Sequence, residues 1–249
     1  MDNQTLYTSK QIRNKTFISF IVFFLFLAGC LFAWKWLQNQ PKEANAFKPL
    51  RKGFYMNEAV FSRLFSFNNL ARPYSKSDVV SKVRTNGSEG LSADFDVAAW
   101  KLHIMRNAGD TLLISLEELK ALPKTEIIFD FKCIEGWSQV THWAGVRFSD
   151  LVKKYNLGSE AGLGYVGLET PDKAYYVGID NNSMMHPQTL LCYEMNGKPL
   201  PMNNGYPLRL IIPVKYGVKH LKRIGTIFFS AQRPRDYWFE QGYDYYCGL

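Results

Sequence analysis

The sequence predicts an α+β domain of mixed short strands and few helices, preceded by one N-terminal apolar helix. Three observations support this prediction. An uncharged apolar run covers residues 17–34. Beyond residue 100, short strand-like segments are mixed with short helix-like segments, and no internal repeat is evident. Aromatic residues make up 15% of the 249 residues, which argues against a disordered chain.

The positive charge of the chain is concentrated ahead of the predicted domain. The formal net charge is +8. Residues 1–52 contain eight Lys/Arg and two Asp/Glu, and residues 53–249 contain 22 and 20, so the two parts carry +6 and +2. Nucleic-acid binding requires a basic face on the folded domain. The nearly balanced domain therefore argues against a nucleic-acid partner.

The apolar run predicts a membrane helix or an export signal. It extends from Phe17 to Trp34, and eighteen residues are at the short limit for a helix that spans a bilayer. Lys10, Arg13 and Lys15 precede the run, which favours an orientation with the domain outside the cytoplasm. Basic residues also follow the run and weaken this preference.

The end of the apolar run leaves its processing open. The stretch LAGC, residues 27–30, resembles a bacterial lipoprotein cleavage box with Cys30 as the lipidated residue. A plain cleaved signal peptide has the same charged and apolar regions. Apolar residues continue past Cys30, which favours an uncleaved anchor. The stretch RNKTFI, residues 13–18, lacks the second arginine of a twin-arginine export signal.

The chain is expected to divide into an anchor or signal segment over residues 1–37, a linker over 38–60 and the domain over 61–249. Within the domain, abundant Ser, Gly and Asp predict a loop over 75–96. The remaining pattern predicts, in order, a strand over 100–104, a helix over 115–122, a strand over 125–133, a helix over 147–157, strands over 164–170 and 174–180, a helix or strand over 187–197, and a strand over 207–214.

The two predicted helices have clear local signals. Ser115 and Glu118 have the spacing of a capping box, and the first helix must stop before Pro123. The second helix places three apolar side chains on one face: Leu151, Val152 and Tyr155.

The cysteine pattern excludes two common sites and leaves one question. No Cys-x-x-Cys pair is present, so a zinc ribbon and a thioredoxin-type motif are absent. The sequence does not indicate a disulfide pairing. Cys133 ends a strand-like run in FDFKCIEGWSQVTHWAGV, residues 129–146. A cysteine there could be a small core residue, a nucleophile or a metal-binding thiolate.

Five segments, taken in order, favour the metal-binding interpretation. They are FNN at 67–69, WKLHI at 100–104 with ISLEELKALPKTEIIFDFKCIEGWSQVTHWAGVRFSDLV at 114–152, LETPD at 168–172, MHPQTLLCYEMNGKPLPMNNGYPLRLIIPVKYGVKHLKRIGTI at 185–227 and RPRDYWFEQGYDYYCGL at 233–249. Together they resemble the molybdopterin domain of the sulfite oxidase family, including its bacterial sulfoxide reductase members. In that family the cysteine stretch is followed by a Trp-x-Gly-Val turn and a short helix.

The resemblance implies a molybdenum–molybdopterin cofactor and indicates its contacts. The thiolate at the position of Cys133 ligates the metal, so Cys133 is expected to be both metal ligand and catalytic residue. Arginine can bind phosphate or pterin oxygens with two donors. The other expected cofactor contacts are Asn68, Ala71, Arg72, Thr170, Asn204, Arg209, His220, Leu221 and Lys222, with Lys219 as an additional candidate.

Some positions depart from the reductase pattern. Ala71 and Arg72 stand where those members carry Tyr-Glu, and His142 stands where they are apolar. His142 is expected either to line the substrate pocket as a catalytic residue or to hydrogen-bond at the surface. His186 is expected to support a turn.

The resemblance further implies an oxidoreductase that transfers an oxygen atom at a sulfur centre. The expected reaction is S-oxide reduction, such as that of free or protein methionine sulfoxide, or sulfite oxidation. No Cys-x-x-Cys-His haem motif is present, so a separate membrane or soluble cytochrome is the expected electron partner. The anchor favours a membrane-attached, periplasmic domain, and a domain that faces the cytoplasm stays open because the twin-arginine signal lacks its second arginine.

Two alternatives stay open. One is a metal-free enzyme with Cys133 as a nucleophile beside His142 or His186. The other is a non-catalytic, membrane-anchored binding module of the same fold.

Overall fold

The computed structural model describes residues 7–249, which divide into two units after Gly53. The first unit contains one long helix and a small antiparallel hairpin. Its elements are α1 (Ser9–Gln38), β1 (Lys42–Glu43) and β2 (Ala46–Phe47). A second helix, α2 (Lys48–Leu64), begins in this unit and continues into the next.

Helix α1 contains the predicted apolar run. It is 30 residues long, none of its residues is buried, and its most apolar 18-residue window has a mean hydropathy of 2.5. By length and composition, it is the one helix within residues 7–249 that could cross a membrane, and a signal sequence would have the same properties. Residues 1–6 of the predicted anchor segment lie outside the described part of the chain.

The region predicted as a linker, residues 38–60, is more regular than expected. The hairpin and most of α2 lie within it. The residues of α2 are polar on average. Their apolar and charged side chains recur at helical spacing, so the helix has one apolar side and one polar side. An interpretation based on overall polarity therefore missed the helix.

The domain that follows is an α+β fold, as predicted. Its strands are β3 (Leu102–Met105), β4 (Thr111–Ile114), β5 (Lys124–Lys132), β6 (Ser138–Arg147), β7 (Tyr165–Glu169), β8 (Tyr176–Asp180), β9 (Leu190–Met195), β10 (Lys198–Pro199), β11 (Arg209–Ile211) and β12 (Thr226–Ser230). Its short helices are α3 (Leu116–Lys120), α4 (Phe148–Lys154), α5 (Asn181–Met184) and α6 (Tyr237–Glu240).

The strands form two sheets. One has the order β4-β3-β12-β7-β8, in which only the β3–β12 pair is parallel. The other has the order β10-β9-β6-β5, and β11 also pairs with β9. Apolar side chains from both sheets, such as Leu168 and Leu191, share one large core. A smaller core lies under the β5–β6 hairpin and contains Phe129, Phe131 and Trp143.

The local signals behave as expected in α3 and β9. The Ser115 hydroxyl accepts a hydrogen bond from the Glu118 amide, and the Glu118 carboxylate accepts one from the Ser115 amide. Residues 187–197, which suggested either a helix or a strand, contain β9. The first four residues of β9 show no alternation because they are buried on both faces of the sheet.

The expected Trp-x-Gly-Val turn is wrong: these residues lie in β6, the central strand of the second sheet. Residues 141–146 are all buried, so β6 lacks the alternation that identifies a half-exposed strand. A register shift between Ala144 and Gly145 interrupts its pairing with β9. This irregularity is the part of the segment that the sequence pattern suggested as a turn.

Gly145 is required by the close packing of β6 against β9. A Cβ atom at this position would lie 2.0 Å from the Leu191 carbonyl oxygen. We expect Gly145→Ala to lower the free energy of unfolding by about 1–3 kcal/mol or more, as overpacking does. Gly158→Ala is the control, because nothing lies within 4 Å of its added Cβ. Urea denaturation of both variants checks this, and equal stabilities would contradict the packing argument.

Candidate functional site

Cys133 lies in the turn that joins β5 to β6. Its amide donates a hydrogen bond to the Trp137 carbonyl at 2.9 Å, and its carbonyl accepts one from the Gly136 amide at 3.1 Å. Both backbone groups are therefore held, which fixes the direction of the side chain. The residue is 7% exposed, and its Sγ lies 3.9 Å from Asn86 Nδ2. The thiol is thus positioned by a rigid hairpin and is only slightly open to solvent.

The thiol lines a cavity of about 110 Å³ in the C-terminal unit. Aromatic side chains form much of the wall: Phe131, Trp137, Trp143, Tyr175, Trp238 and Tyr243. Charged and polar residues complete it: Arg84, Asn86, Glu89, Glu135, Gln139, Arg209, His220 and Lys222. An aromatic wall with a few convergent polar groups is the usual composition of a ligand site.

Three cations, Arg84, Arg209 and Lys222, and two carboxylates, Glu89 and Glu135, line the cavity, so its wall carries a small positive charge. Burial lowers the pKa of Arg209 to about 10. Burial, followed by the charge of Arg209, lowers the pKa of Lys222 to about 8. The Lys222 ammonium donates to the Asn86 and Gly87 carbonyls, at 2.5 and 2.7 Å. A cation that is desolvated beside another cation is costly, so the site favours an anionic ligand.

Arg209 is held in place but keeps a free donor. Its guanidinium lies 4.8 Å from the Trp143 ring centre and 5.6 Å from that of Phe131. One Nη donates to the Asn204 carbonyl at 3.2 Å. The buried Arg209 Nε and Asn204 Nδ2 have no hydrogen-bond partner within residues 7–249. Buried donors without partners are rare in folded proteins, which again indicates a ligand rich in acceptors.

His220 is in the cavity wall as a neutral ring. Burial, followed by the charge of Arg209, lowers its pKa to about 3. Its Nε2 lies 3.1 Å from the Lys215 carbonyl, which can only accept, so Nε2 carries the proton. A histidine with this pKa is a weak base, because it binds a proton only in strong acid.

A metal at Cys133 would need ligands from outside the protein. Within residues 7–249, no cluster of three His, Cys, Asp or Glu groups is placed to hold a metal ion. One thiolate is a soft ligand, but it does not complete a coordination shell. Cys133 can therefore hold a metal only if a cofactor supplies the other ligands.

The structure brings together only some of the predicted site residues. Cys133, Arg209, His220 and Lys222 line the cavity. Asn204 is buried just behind it and supports Arg209. The four lining residues come from the turn between β5 and β6, from β11, and from the segment between β11 and β12, so the second sheet and its connections place them together.

Three other residues that were predicted to contact the cofactor do not line the cavity. The Leu221 side chain is in the large core, and its backbone carbonyl accepts from the Leu210 amide. Thr170 Oγ1 accepts from the Tyr175 amide at 3.1 Å, and so orients a residue that does line the cavity. Lys219 is buried against Asp236, with Nζ 2.5 Å from Oδ2.

The predicted contacts near residue 70 are not in the cavity wall. Asn68 is exposed. The Ala71 amide donates to Gln188 Oε1 at 2.8 Å, and the Arg72 guanidinium lies 5.4 Å from the Tyr74 ring centre. The structure instead brings the segment with Arg84, Asn86 and Glu89 to Cys133. Asn86 Nδ2 also donates to Glu135 Oε1 at 3.1 Å.

His142 is likewise not in the cavity that Cys133 lines. It faces a different surface depression, with Lys76 and Asn196, and its Nε2 lies 3.0 Å from Glu126 Oε2. Side chains alternate along β6, so His142 and Trp143 point to opposite faces and only Trp143 reaches the cavity. His142 thus makes a hydrogen bond, as in the alternative that the sequence offered, but its own side chain is buried.

We therefore expect His142→Ala to leave cofactor content and turnover per loaded molecule unchanged within about twofold, because the buried His142 side chain lies outside the cavity that Cys133 lines. Metal analysis and steady-state assays of the purified variant check this. A loss of turnover above tenfold at unchanged metal content would restore His142 to the reaction.

Comparison with known proteins identifies the cofactor class. Residues 89–238, which are 150 of the 249 residues, match the model of the oxidoreductase molybdopterin-binding domain family. The chain belongs to this family. It is therefore an oxidoreductase domain with a molybdenum–molybdopterin cofactor, and the sequence-based prediction of both is confirmed.

Curated relatives of this molybdopterin-binding family cover much of the chain. A putative protein-methionine-sulfoxide reductase subunit YedZ1 from Azospira oryzae is 33% identical over 194 residues, or 77% of this chain and 73% of the relative. The protein-methionine-sulfoxide reductase catalytic subunit MsrP from Campylobacter jejuni is 32% identical over 166 residues, or 59% of this chain and 54% of the relative. The chain thus spans about half the length of this MsrP.

A solved structure supports the same fold. The sulfane dehydrogenase SoxCD from Paracoccus pantotrophus aligns with a TM-score of 0.50 and 18% sequence identity, over 56% of this chain and 40% of that one. Identity at this level supports the architecture of the molybdopterin-binding domain and nothing about its substrate.

The cavity fits the cofactor of this family. A molybdopterin has a dithiolene that can complete the metal shell, a polar pterin and an anionic phosphate. The chain supplies a lone thiol, unpartnered buried donors on Arg209 and Asn204, and two desolvated cations. The metal would bind the thiol, the pterin would accept from the buried donors, and the phosphate would offset the desolvated cations.

Proposed function

We propose that this protein is a molybdenum-dependent S-oxide reductase, with methionine sulfoxide as the substrate class, anchored to a membrane by α1. The observation that carries the proposal is the single buried thiol of Cys133 at one wall of a cationic, aromatic cavity. The curated relatives named as methionine-sulfoxide reductases support the substrate class.

The cofactor, when bound, supplies two-electron oxygen-atom transfer chemistry at molybdenum. Cys133 would hold the metal through its thiolate, and the Asn86 amide beside its Sγ would donate to the bound sulfur. Arg209 and Lys222 would neutralise the anionic parts of the cofactor. The aromatic walls exclude water, which strengthens these interactions.

The reaction balances as one S-oxide, two electrons and two protons giving one thioether and one water. The electrons require a redox partner, because no haem motif occurs in the chain. We propose a membrane or soluble cytochrome for this role. A membrane position for the domain, on the periplasmic side, would keep it close to such a partner.

Sulfite oxidation is the second candidate. Sulfite is an anion, and the desolvated cations Arg209 and Lys222 would attract it. The two reactions are distinguished by assaying the cofactor-loaded protein in both directions. Turnover of methionine sulfoxide with a reduced viologen dye, without sulfite-dependent reduction of ferricyanide, supports the reductase; the reverse result overturns it.

The metal-free thiol enzyme is disfavoured by the geometry. It needs a basic histidine near Cys133. His142 lines a different depression, and His186 is buried in a turn where its Nδ1 accepts from the Gln188 amide. His220 is in the cavity wall, but its low pKa makes it a poor base. A binding module without cofactor would show neither metal nor turnover in the same assays.

A further inference from the structure

Helix α2 has an exposed apolar stripe. Met56, Val60 and Leu64 follow one another at four-residue spacing, so they lie along one side of the helix. Their exposed fractions are 70%, 53% and 68%. Just beyond the helix, two further large apolar residues, Phe67 and Leu70, are also exposed. An apolar surface of this kind on a folded unit indicates an interaction site.

The exposed charges of α2 are all basic. Lys48, Lys52 and Arg63 are exposed. The one acidic residue of the helix, Glu58, is mostly buried and forms an ion pair with Arg233 at 2.7 Å. On a helical projection, Arg63 and Lys52 lie beside the apolar stripe, on the side away from Glu58. The free surface of α2 therefore combines an apolar stripe with a cationic border.

Two of the three exposed basic residues, Lys48 and Lys52, do not stabilise the helix itself, whereas Arg63 lies in the last turn, where a cation interacts favourably with the helix dipole. Lys48 and Lys52 are in its first turns, and no acidic residue is there. Cations near a helix N-terminus interact unfavourably with the helix dipole. Their position is thus better explained by an external negative surface than by helix stability.

The chain also limits how far α2 can be from α1. Residues 39–47 separate the two helices, which is nine residues. A fully extended chain covers at most about 3.3–3.6 Å per residue, so the gap is at most roughly 30 Å. If α1 is inserted in a bilayer, α2 begins within that distance of the headgroups.

From these observations we propose that α2 lies on the membrane surface, with Met56, Val60 and Leu64 in the headgroup region and the basic border on anionic lipid. This combination of a one-sided apolar face and basic flanks is typical of interfacial helices. Each basic residue near an anionic surface contributes roughly fivefold to the binding constant. The proposal goes beyond the oxidoreductase chemistry, and of the proposed function it rests only on the membrane anchoring by α1.

Site-directed spin labelling of the full, cofactor-loaded chain tests the proposal. Single cysteines would replace Met56, Val60, Leu64 and, as the matched control, Ser62 on another side of α2, in a Cys30→Ser background. The remaining cysteines are buried. A label at Leu25 reports separately on α1. The protein is reconstituted in vesicles of phosphatidylcholine with phosphatidylglycerol, and collisions with oxygen and with a water-soluble nickel complex are compared.

We expect oxygen collisions to exceed nickel collisions at positions 56, 60 and 64, and the reverse at position 62. This contrast should weaken in phosphatidylcholine alone and in a Lys48→Gln/Lys52→Gln/Arg63→Gln variant. Nickel access at all four positions, with the Leu25 label in lipid, would show that α1 inserts but α2 does not bind. Protection from both reagents, in detergent as in vesicles, would show that protein covers the stripe. Either result overturns the proposal, as would a failure of the chain to associate with vesicles.

Discussion

Replacing Cys133 with alanine is expected to reduce methionine sulfoxide turnover by about 100-fold or more and to lower the molybdenum content of the purified protein. The reason is that Cys133 is the one thiol in the cavity wall, and no cluster of three His, Cys, Asp or Glu groups among residues 7–249 could hold the metal in its place. Even partners of metal ligands typically cost 10–100-fold when removed, so the ligand itself should cost at least as much. Elemental analysis and steady-state assays on protein from a cofactor-competent host measure both effects.

Cys247→Ala is the matched control for this experiment. Its thiol is also buried, but it donates to the Asp244 carbonyl and is not in the cavity wall. It should keep both metal and turnover, apart from a loss of stability. Full metal content with full activity in Cys133→Ala would contradict the role of the thiolate. Metal-free wild-type protein from the same host would instead favour the binding module.

The parts of the fold that were predictable have local causes. The capping box of α3 and the apolar face of α4 arise from neighbouring residues, and both helices occur where the sequence indicated them. Strand β5 ends just before Cys133, as expected. Strand β6 was missed because its burial on both faces is set by the sheet around it, not by its own pattern.

Site residues were predictable where a single sequence segment contains both the reactive or charged side chain and the strand or turn that positions it. Cys133, Arg209, His220 and Lys222 were found because their segments resemble the family and β11 carries Arg209 to the cavity. The segment with Arg84, Asn86 and Glu89 was missed because its composition indicates only a loop. Its place in the cavity depends on long-range contacts, such as that between Lys222 and the Asn86 carbonyl.

Lys219→Met is expected to lower the free energy of unfolding by about 3–5 kcal/mol. The Lys219 and Asp236 side chains are each 2% exposed and form an ion pair. Removing one partner leaves the other charge buried without compensation, which costs more than the pair itself contributes. Within the described part of the chain, Asp236 would keep two neutral donors, the amides of Gly178 and Phe239. Urea denaturation of the cofactor-free chain measures this effect.

The design of the controls separates charge from packing. The double variant Lys219→Met/Asp236→Asn has no buried charge at this position. The Asn side-chain oxygen can still accept the hydrogen bond from the Phe239 amide, so most of the lost stability should return. Arg235→Ala removes an exposed ion pair with Glu240 and should cause no measurable change. A double variant no more stable than Lys219→Met would show that the loss comes from packing.

The same ion pair connects the stability of the fold to the cavity. Asp236 caps α6, which carries Trp238 into the cavity wall, and Lys219 directly precedes His220 in that wall. Lys219→Met should therefore also release the cofactor faster, although Lys219 does not line the cavity. Molybdenum retention during dialysis measures this, with Arg235→Ala as the reference. Retention equal to that of the reference, in a destabilised Lys219→Met protein, would show that the ion pair supports the fold without positioning the two walls.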